Sequence, residues 1–144
     1  MRTGLLVPVI VLLAACQPAQ DVTVDHAWVR LAAVPTNPSA AYFKVHGGPK
    51  DETLTSVSTG AAIRSEMHEN MTKSGMMSMA PVKLVAVRAG GDVAFAPGGK
   101  HVMLFGLSDA VKPGAKVPMT FTFASGRTLV VTAKVVGAGD SAPE

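Results

Sequence analysis

Methionine is the residue whose placement in this chain is hardest to account for by packing. Of eight Met, five (Met67, Met71, Met76, Met77 and Met79) fall within residues 67–79, and Met103 follows in His101-Val102-Met103. A core stripe would mix Met with Leu and Val at strand or helix spacing; this segment mixes it with Glu69, Asn70, Thr72, Lys73, Ser74, Gly75 and Ser78, the company of a polar loop. Gap-filling in a core suits Met119 and Met67, but not the rest. Thioether sulfur is a soft neutral donor and imidazole a borderline one, and together they select Cu(I) over hard cations. Outside the cytoplasm thiols become disulfides, which Met cannot form, so a copper site in an oxidising compartment gains by avoiding Cys. Residues two apart on a strand share a face, so His101 and Met103 can grip one ion. His68 closes a strand-like run and opens the Met-rich segment, which makes a site from two strand ends and one flexible loop. Met71, Met76 and Met77 are either auxiliary sulfurs that pass copper inward or bystanders. Glu66 and Glu69 flank His68 as orienting acceptors or as solvated charges. His26 and His46 have no Met or His at ligand spacing and are read as surface or turn residues.

The elements that position these side chains are strands. Period-two or β-branched runs recur at 22–31, 41–46, 53–58, 63–68, 82–87, 101–107, 117–124 and 129–136, with Gly/Pro turns such as Pro97-Gly98-Gly99 and Pro113-Gly114 between them. No amphipathic helix and no internal repeat is evident. This spacing predicts an all-β antiparallel sandwich or small barrel, with Greek-key connections suited to seven to nine strands. Trp28 and Tyr42 are expected to pack in the core.

Composition bounds the function. A chain of 144 residues is one domain, and 48% hydrophobic residues are too many for a disordered one. A single Cys excludes a disulfide framework and a multi-thiolate zinc site. A net charge of +3 with no basic cluster, and only 5% aromatics, argue against nucleic acid. No nucleophile–His–Asp arrangement or phosphate loop is visible, so an enzyme is not expected. Residues 1–15 place Arg2 before an apolar run too short to span a bilayer, which has the form of a signal peptide. The run ends in Leu13-Ala14-Ala15-Cys16, which resembles the lipobox of bacterial lipoproteins, where the Cys is acylated and becomes the first mature residue. Cys16 is thus expected to be a membrane anchor. Residues 16–21 then form a tether, 22–136 the domain, and 137–144 a flexible tail.

The spacing His68-x10-Met79-x21-His101-x-Met103 matches the H-x10-M-x21-H-x-M signature of the PCuAC-type periplasmic copper chaperones. By composition alone it would arise about three times in ten thousand. The segments Ala27-Trp28-Val29-Arg30, Ala40-Ala41-Tyr42-Phe43, Asp51-Glu52-Thr53-Leu54 and Pro97-Gly98-Gly99-Lys100 also resemble landmarks of that family, over 22–136. The resemblance implies a cupredoxin-like β-sandwich that binds one Cu(I) per chain through His68, Met79, His101 and Met103. It further implies a monomer of the periplasm or cell envelope that donates copper to the binuclear centre of cytochrome c oxidase subunit II alongside Sco-type proteins. The chain departs from some members in lacking a His- and Met-rich C-terminal extension, and from many in carrying a lipid-anchor signal. Copper buffering without a client, or a β-sandwich interaction lipoprotein without metal, are the other readings. A blue-copper carrier needs a Cys ligand, and the one Cys is assigned to the anchor.

Overall fold

The structure is a computed structural model that describes residues 21–144. The expected signal peptide, Cys16 and all but the last residue of the tether lie outside the described residues. Ten strands follow one another: β1 (Thr23–Arg30), β2 (Ser39–His46), β3 (Glu52–Ser58), β4 (Ala62–Lys73), β5 (Met76–Pro81), β6 (Val85–Val87), β7 (Asp92–Phe95), β8 (Lys100–Leu107), β9 (Lys116–Phe123) and β10 (Thr128–Val136). No helix occurs among the described residues. The strands form one open sheet in the order β5-β4-β8-β7-β2-β1-β10-β9-β3-β6, with β8 also paired to the start of β2. Pairing is antiparallel except for β1 with β10 and a single bridge between β7 and β8.

Alternation drives the folding of this sheet onto itself. Ala41, Phe43 and Val45 point inward from β2, Val102 and Leu104 from β8, and Val117, Met119, Phe121 and Phe123 from β9. They meet Leu54 and Val57 of β3 and Met67 of β4 in one core cluster. β3 and β4, far apart in sheet order, both send side chains into that one core cluster, which makes the open sheet a sandwich. At its centre Phe43 stacks on Phe95 at 4.2 Å and meets Phe121 edge-on at 4.7 Å. The whole core lies between Val22 and Val135, so a chain starting at Gln17 carries everything the fold needs.

Sequence expectations about the strands are corrected. The Met-rich segment is a β-hairpin, not a loop: β4 runs on to Lys73 and β5 returns from Met76. Its two-residue turn, Ser74-Gly75, has positive φ at both positions (54° and 75°), the condition for the tight turn that matches strand twist. His68 accordingly sits in mid-strand and does not end one. β7, four residues long, was not anticipated either. Trp28 and Tyr42 are buried as expected, in a packing layer of their own beside the main cluster. They pair across β1 and β2 on the opposite face, with ring centroids 4.6 Å apart and the Arg30 guanidinium 4.9 Å from the Trp28 ring. Residues 137–144 form no strand; Asp140 accepts a hydrogen bond from the Gly137 N–H, and Lys134 Nζ donates to the Glu144 carbonyl.

Candidate metal centre

Three adjacent strands, β5, β4 and β8, carry the four residues of the spacing pattern. His68 of β4 lies directly opposite His101 of β8, and opposite Pro81 of β5 on its other side. Met103 is two residues from His101 along β8 and faces Glu66. Met79 is two residues before Pro81 and faces Asn70. Paired residues, and residues two apart, share a face, so His68, Met79, His101 and Met103 all lie on the face opposite the core residues Met67 and Val102. Each Met is a diagonal neighbour of His68, about 7–8 Å away between Cα atoms and within reach of a long side chain.

The two imidazoles are held as metal ligands usually are, with one nitrogen tied to an oxygen and the other free. His68 Nε2 donates to Glu66 Oε2 at 3.1 Å. A carboxylate can only accept, so the lone pair is on His68 Nδ1, which is buried and has no hydrogen-bond partner among the described residues. His101 Nδ1 donates to the Gly99 carbonyl at 3.0 Å, which leaves Nε2 as its donor atom. Gly99 belongs to the Pro97-Gly98-Gly99 turn, so the turn both starts β8 and sets the tautomer of His101. The ring centroids are 6.0 Å apart. A metal about 2.0 Å from a ring nitrogen is about 3.2 Å from that centroid, so the centroid spacing is of the size that two imidazoles on one ion require.

The surroundings are polar at the edge and dry beneath. His101 is 5% exposed, and the His68 side chain is 15% exposed. Arg64 Nε holds the other oxygen of Glu66 at 3.0 Å, which fixes the carboxylate that orients His68. Glu69 is engaged by Lys100 at 2.8 Å and does not serve His68. No group of three or more His, Cys, Asp or Glu able to hold a metal ion exists among the described residues. The soft side chains next to the two imidazoles on their face are the thioethers of Met79 and Met103. Met79 and Met103 occupy opposite corners of the patch, about 16 Å apart on a flat lattice, so both can reach one ion only if the hairpin curls toward β8. Its outer part is a two-stranded ribbon: beyond Asn70, whose N–H still donates to the Gly99 carbonyl, β4 pairs with β5 alone, and two-stranded ribbons twist more than wide sheets.

The additional methionines divide between faces. Met77, opposite Thr72, lies on the His68 face; Met71, opposite Ser78, and Met76, opposite Lys73, lie on the other. Met119 and Met67 are in the core. His26, at a bulge in β1 with φ of 50°, is exposed beside Asp25. His46 is part of a charged cluster with Asp25 and Asp92. Neither touches the candidate site. On a strand that ends at His68, Glu66 cannot be told from Glu69; with β4 continuing to Lys73, Glu69 falls on the opposite face. The Ser74-Gly75 pair was the available signal for the hairpin.

A family model described as "Putative lipoprotein LpqE-like" matches residues 22–135. The chain belongs to the LpqE-like lipoprotein family. This LpqE-like chain is 33% identical over 119 residues to "Putative lipoprotein Lxx21020" of Leifsonia xyli subsp. xyli (strain CTCB07), an alignment that covers 81% of this chain and 70% of that one. Among solved structures, apo-DR1885 from Deinococcus radiodurans is 27% identical with a TM-score of 0.63, covering 97% of this chain and 98% of that chain. The CuI-DR1885 structure is 26% identical with a TM-score of 0.61, covering 85% and 81%. The copper-bound PCuAC domain from PmoF2 is 19% identical with a TM-score of 0.67, covering 84% and 97%. The all-β sandwich of the LpqE-like chain is thus the PCuAC-type fold.

Proposed function

We propose that this protein is a copper carrier of the cell envelope. It would bind one Cu(I) through His68 Nδ1, His101 Nε2 and the sulfurs of Met79 and Met103, and release it by ligand exchange. The observation that carries this reading is the facing imidazole pair, each with one nitrogen tied to an oxygen and His68 Nδ1 buried without a partner. A buried unpaired nitrogen is costly unless something binds it. The relatives support the metal: one similar structure is a copper-bound PCuAC domain and another is CuI-DR1885. A neutral set of two imidazoles and two thioethers suits the monovalent ion.

Release follows from exposure. Met79 is 55% exposed, so a partner's sulfur can displace it first while the buried imidazoles still hold the ion. Glu66 and the Gly99 carbonyl keep both rings in place through the exchange. The client we propose is the binuclear copper centre of cytochrome c oxidase subunit II, reached alongside Sco-type proteins, with acylated Cys16 holding the carrier at the membrane. The lipoprotein family supports the anchor. Carriage of copper, not catalysis, is the activity.

The test is a competitive Cu(I) titration of the chain from Gln17, with a coloured Cu(I) chelator under reductant, beside Met79→Ala and His101→Ala/Met103→Ala. One tight equivalent in the parent, weakened in both variants, is expected. No competition with the chelator would overturn the metal, and undiminished binding in the variants would overturn the ligand set. Transfer to an apo subunit II domain then tests the client, and its failure would leave copper buffering.

A further inference from the structure

The exposed face of the hairpin carries one more thioether than the four-ligand set requires. The register of β4 with β5 pairs His68 with Pro81, Asn70 with Met79 and Thr72 with Met77. Met77, Met79, His68, His101 and Met103 therefore lie on one face, from the hairpin tip into the sheet, at steps of about 7 Å along the strands. Exposure falls from the hairpin tip to the imidazoles: Met77 is 72% exposed and Met79 55%, the His68 side chain 15% and His101 5%, with Met103 beyond them half-buried. On the hairpin side of the imidazoles, soft sulfur stands at the wet end.

We infer that Met77 is the uptake position for Cu(I), a thioether outside the resident set that receives the ion and passes it to Met79 and then to the imidazoles. The inference rests on the copper-carrying reading above. Met77-Ser78-Met79 has the spacing of His101-Val102-Met103, so the two sulfurs can hold one ion between them as that pair can. Met79 belongs to both holdings: it keeps the ion while the bond to Met77 sulfur breaks and the bond to His68 Nδ1 forms. Each exchange makes one metal–ligand bond for the one it loses, with Cu(I) throughout and no proton moved when the imidazole is neutral. Packing does not account for Met77, because its side chain is mostly in solvent. Met71 and Met76 are equally exposed in kind but lie on the opposite face, which makes them internal controls for surface thioether in general.

The experiment is stopped-flow transfer of Cu(I) from a coloured chelator to the apo chain from Gln17, under reductant. Parent, Met77→Leu and Met71→Leu/Met76→Leu are compared, each with its equilibrium affinity measured by the same chelator. Met77→Leu should slow uptake at least threefold while affinity stays within twofold of the parent; the double variant should match the parent in both. In a His68→Ala/His101→Ala variant with labelled Met methyl groups, Ag(I) should shift the Met77 and Met79 signals together and leave Met71 and Met76 unmoved. Parental uptake by Met77→Leu would overturn the inference. So would an affinity loss as large as the rate loss, which would make Met77 a resident ligand, or equal slowing in the double variant. A parent that takes up no Cu(I) would sink the copper reading itself, whereas normal parental binding with an indifferent Met77→Leu sinks this inference alone.

Discussion

Glu66 illustrates how a single side chain decides which imidazole nitrogen is left free. Its carboxylate accepts from His68 Nε2 and is itself pinned by Arg64, so His68 presents Nδ1 in one tautomer and one ring orientation. Removing such an outer partner lowers metal affinity by about 10–100-fold. Glu66→Ala should therefore weaken Cu(I) binding at least tenfold with the circular dichroism spectrum unchanged, and Glu69→Ala, which frees Lys100 and not His68, should leave affinity near the parent value. Chelator competition measures both, and equal losses would mean that local charge, not orientation, matters. At this scale the sequence was informative where chemistry follows from spacing: His101 and Met103 are two apart and must share a face. It was silent where chemistry follows from register. Glu66, two residues before His68, shares its face on a strand, but Glu69 reads in the sequence as the start of a loop, and only the continuation of β4 and its pairing with β8 hand Glu69 to Lys100.

The hairpin of β4 and β5 is the element on which a full four-ligand set depends. Residues 70–79 escape sequence periodicity because both faces of this ribbon meet solvent, so nothing forces hydrophobic and polar residues to alternate. Eight strands were legible because each turns one face to the core; β7 was too short to show a pattern. What shapes the ribbon is its turn. Gly75 holds a φ of 75°, where a side chain costs about 1–2 kcal/mol and a β-branched one is worse placed still. Gly75→Val should loosen the arm without unfolding the body: amides of residues 70–73 should exchange faster with solvent while those of β9 and β10 keep parental protection. The opposite change is expected on loading. Met79 and Met103 can share an ion only if the arm curls toward β8, so Cu(I) should slow amide exchange in residues 70–80. Exchange there that ignores Cu(I) would place Met79 outside the bound set.

Across the whole molecule, one kind of tie packs the sandwich and another clamps neighbouring strands of the sheet, and they answer to different perturbations. The aromatic centre is one: Phe121 is fully buried against Phe43, so Phe121→Ala should cost about 3–5 kcal/mol, read as a lower urea midpoint with the metal site's residues untouched. The other is a charged latch that no sequence pattern marked, because its members lie on three strands and far apart in the chain. His46 of β2 bonds Asp92 of β7 at 2.8 Å and Asp25 of β1 at 3.0 Å, while Lys44 holds the second oxygen of Asp92. The hydrogen bonds to Asp92 and then Asp25 raise the His46 pKa above its ordinary 6.5. Bonds from Lys44 and His46 lower that of Asp92 below 3.8, and those from His26 and His46, outweighing burial, lower that of Asp25. A raised His pKa stabilises the fold fully below the unfolded value and ceases to do so as pH climbs through the folded one. Lowered Asp values stabilise above the unfolded value and cease to do so as pH falls through the folded ones. Both contributions are present together between about pH 4 and 6.5. The urea midpoint of the parent should exceed that of His46→Gln most within that window, with the gap closing at higher and at lower pH and shrinking in high salt, since these groups are partly exposed and screened. A gap that holds constant with pH would mean that His46 contributes by packing, and that β1, β2 and β7 are joined by their backbone ladders alone.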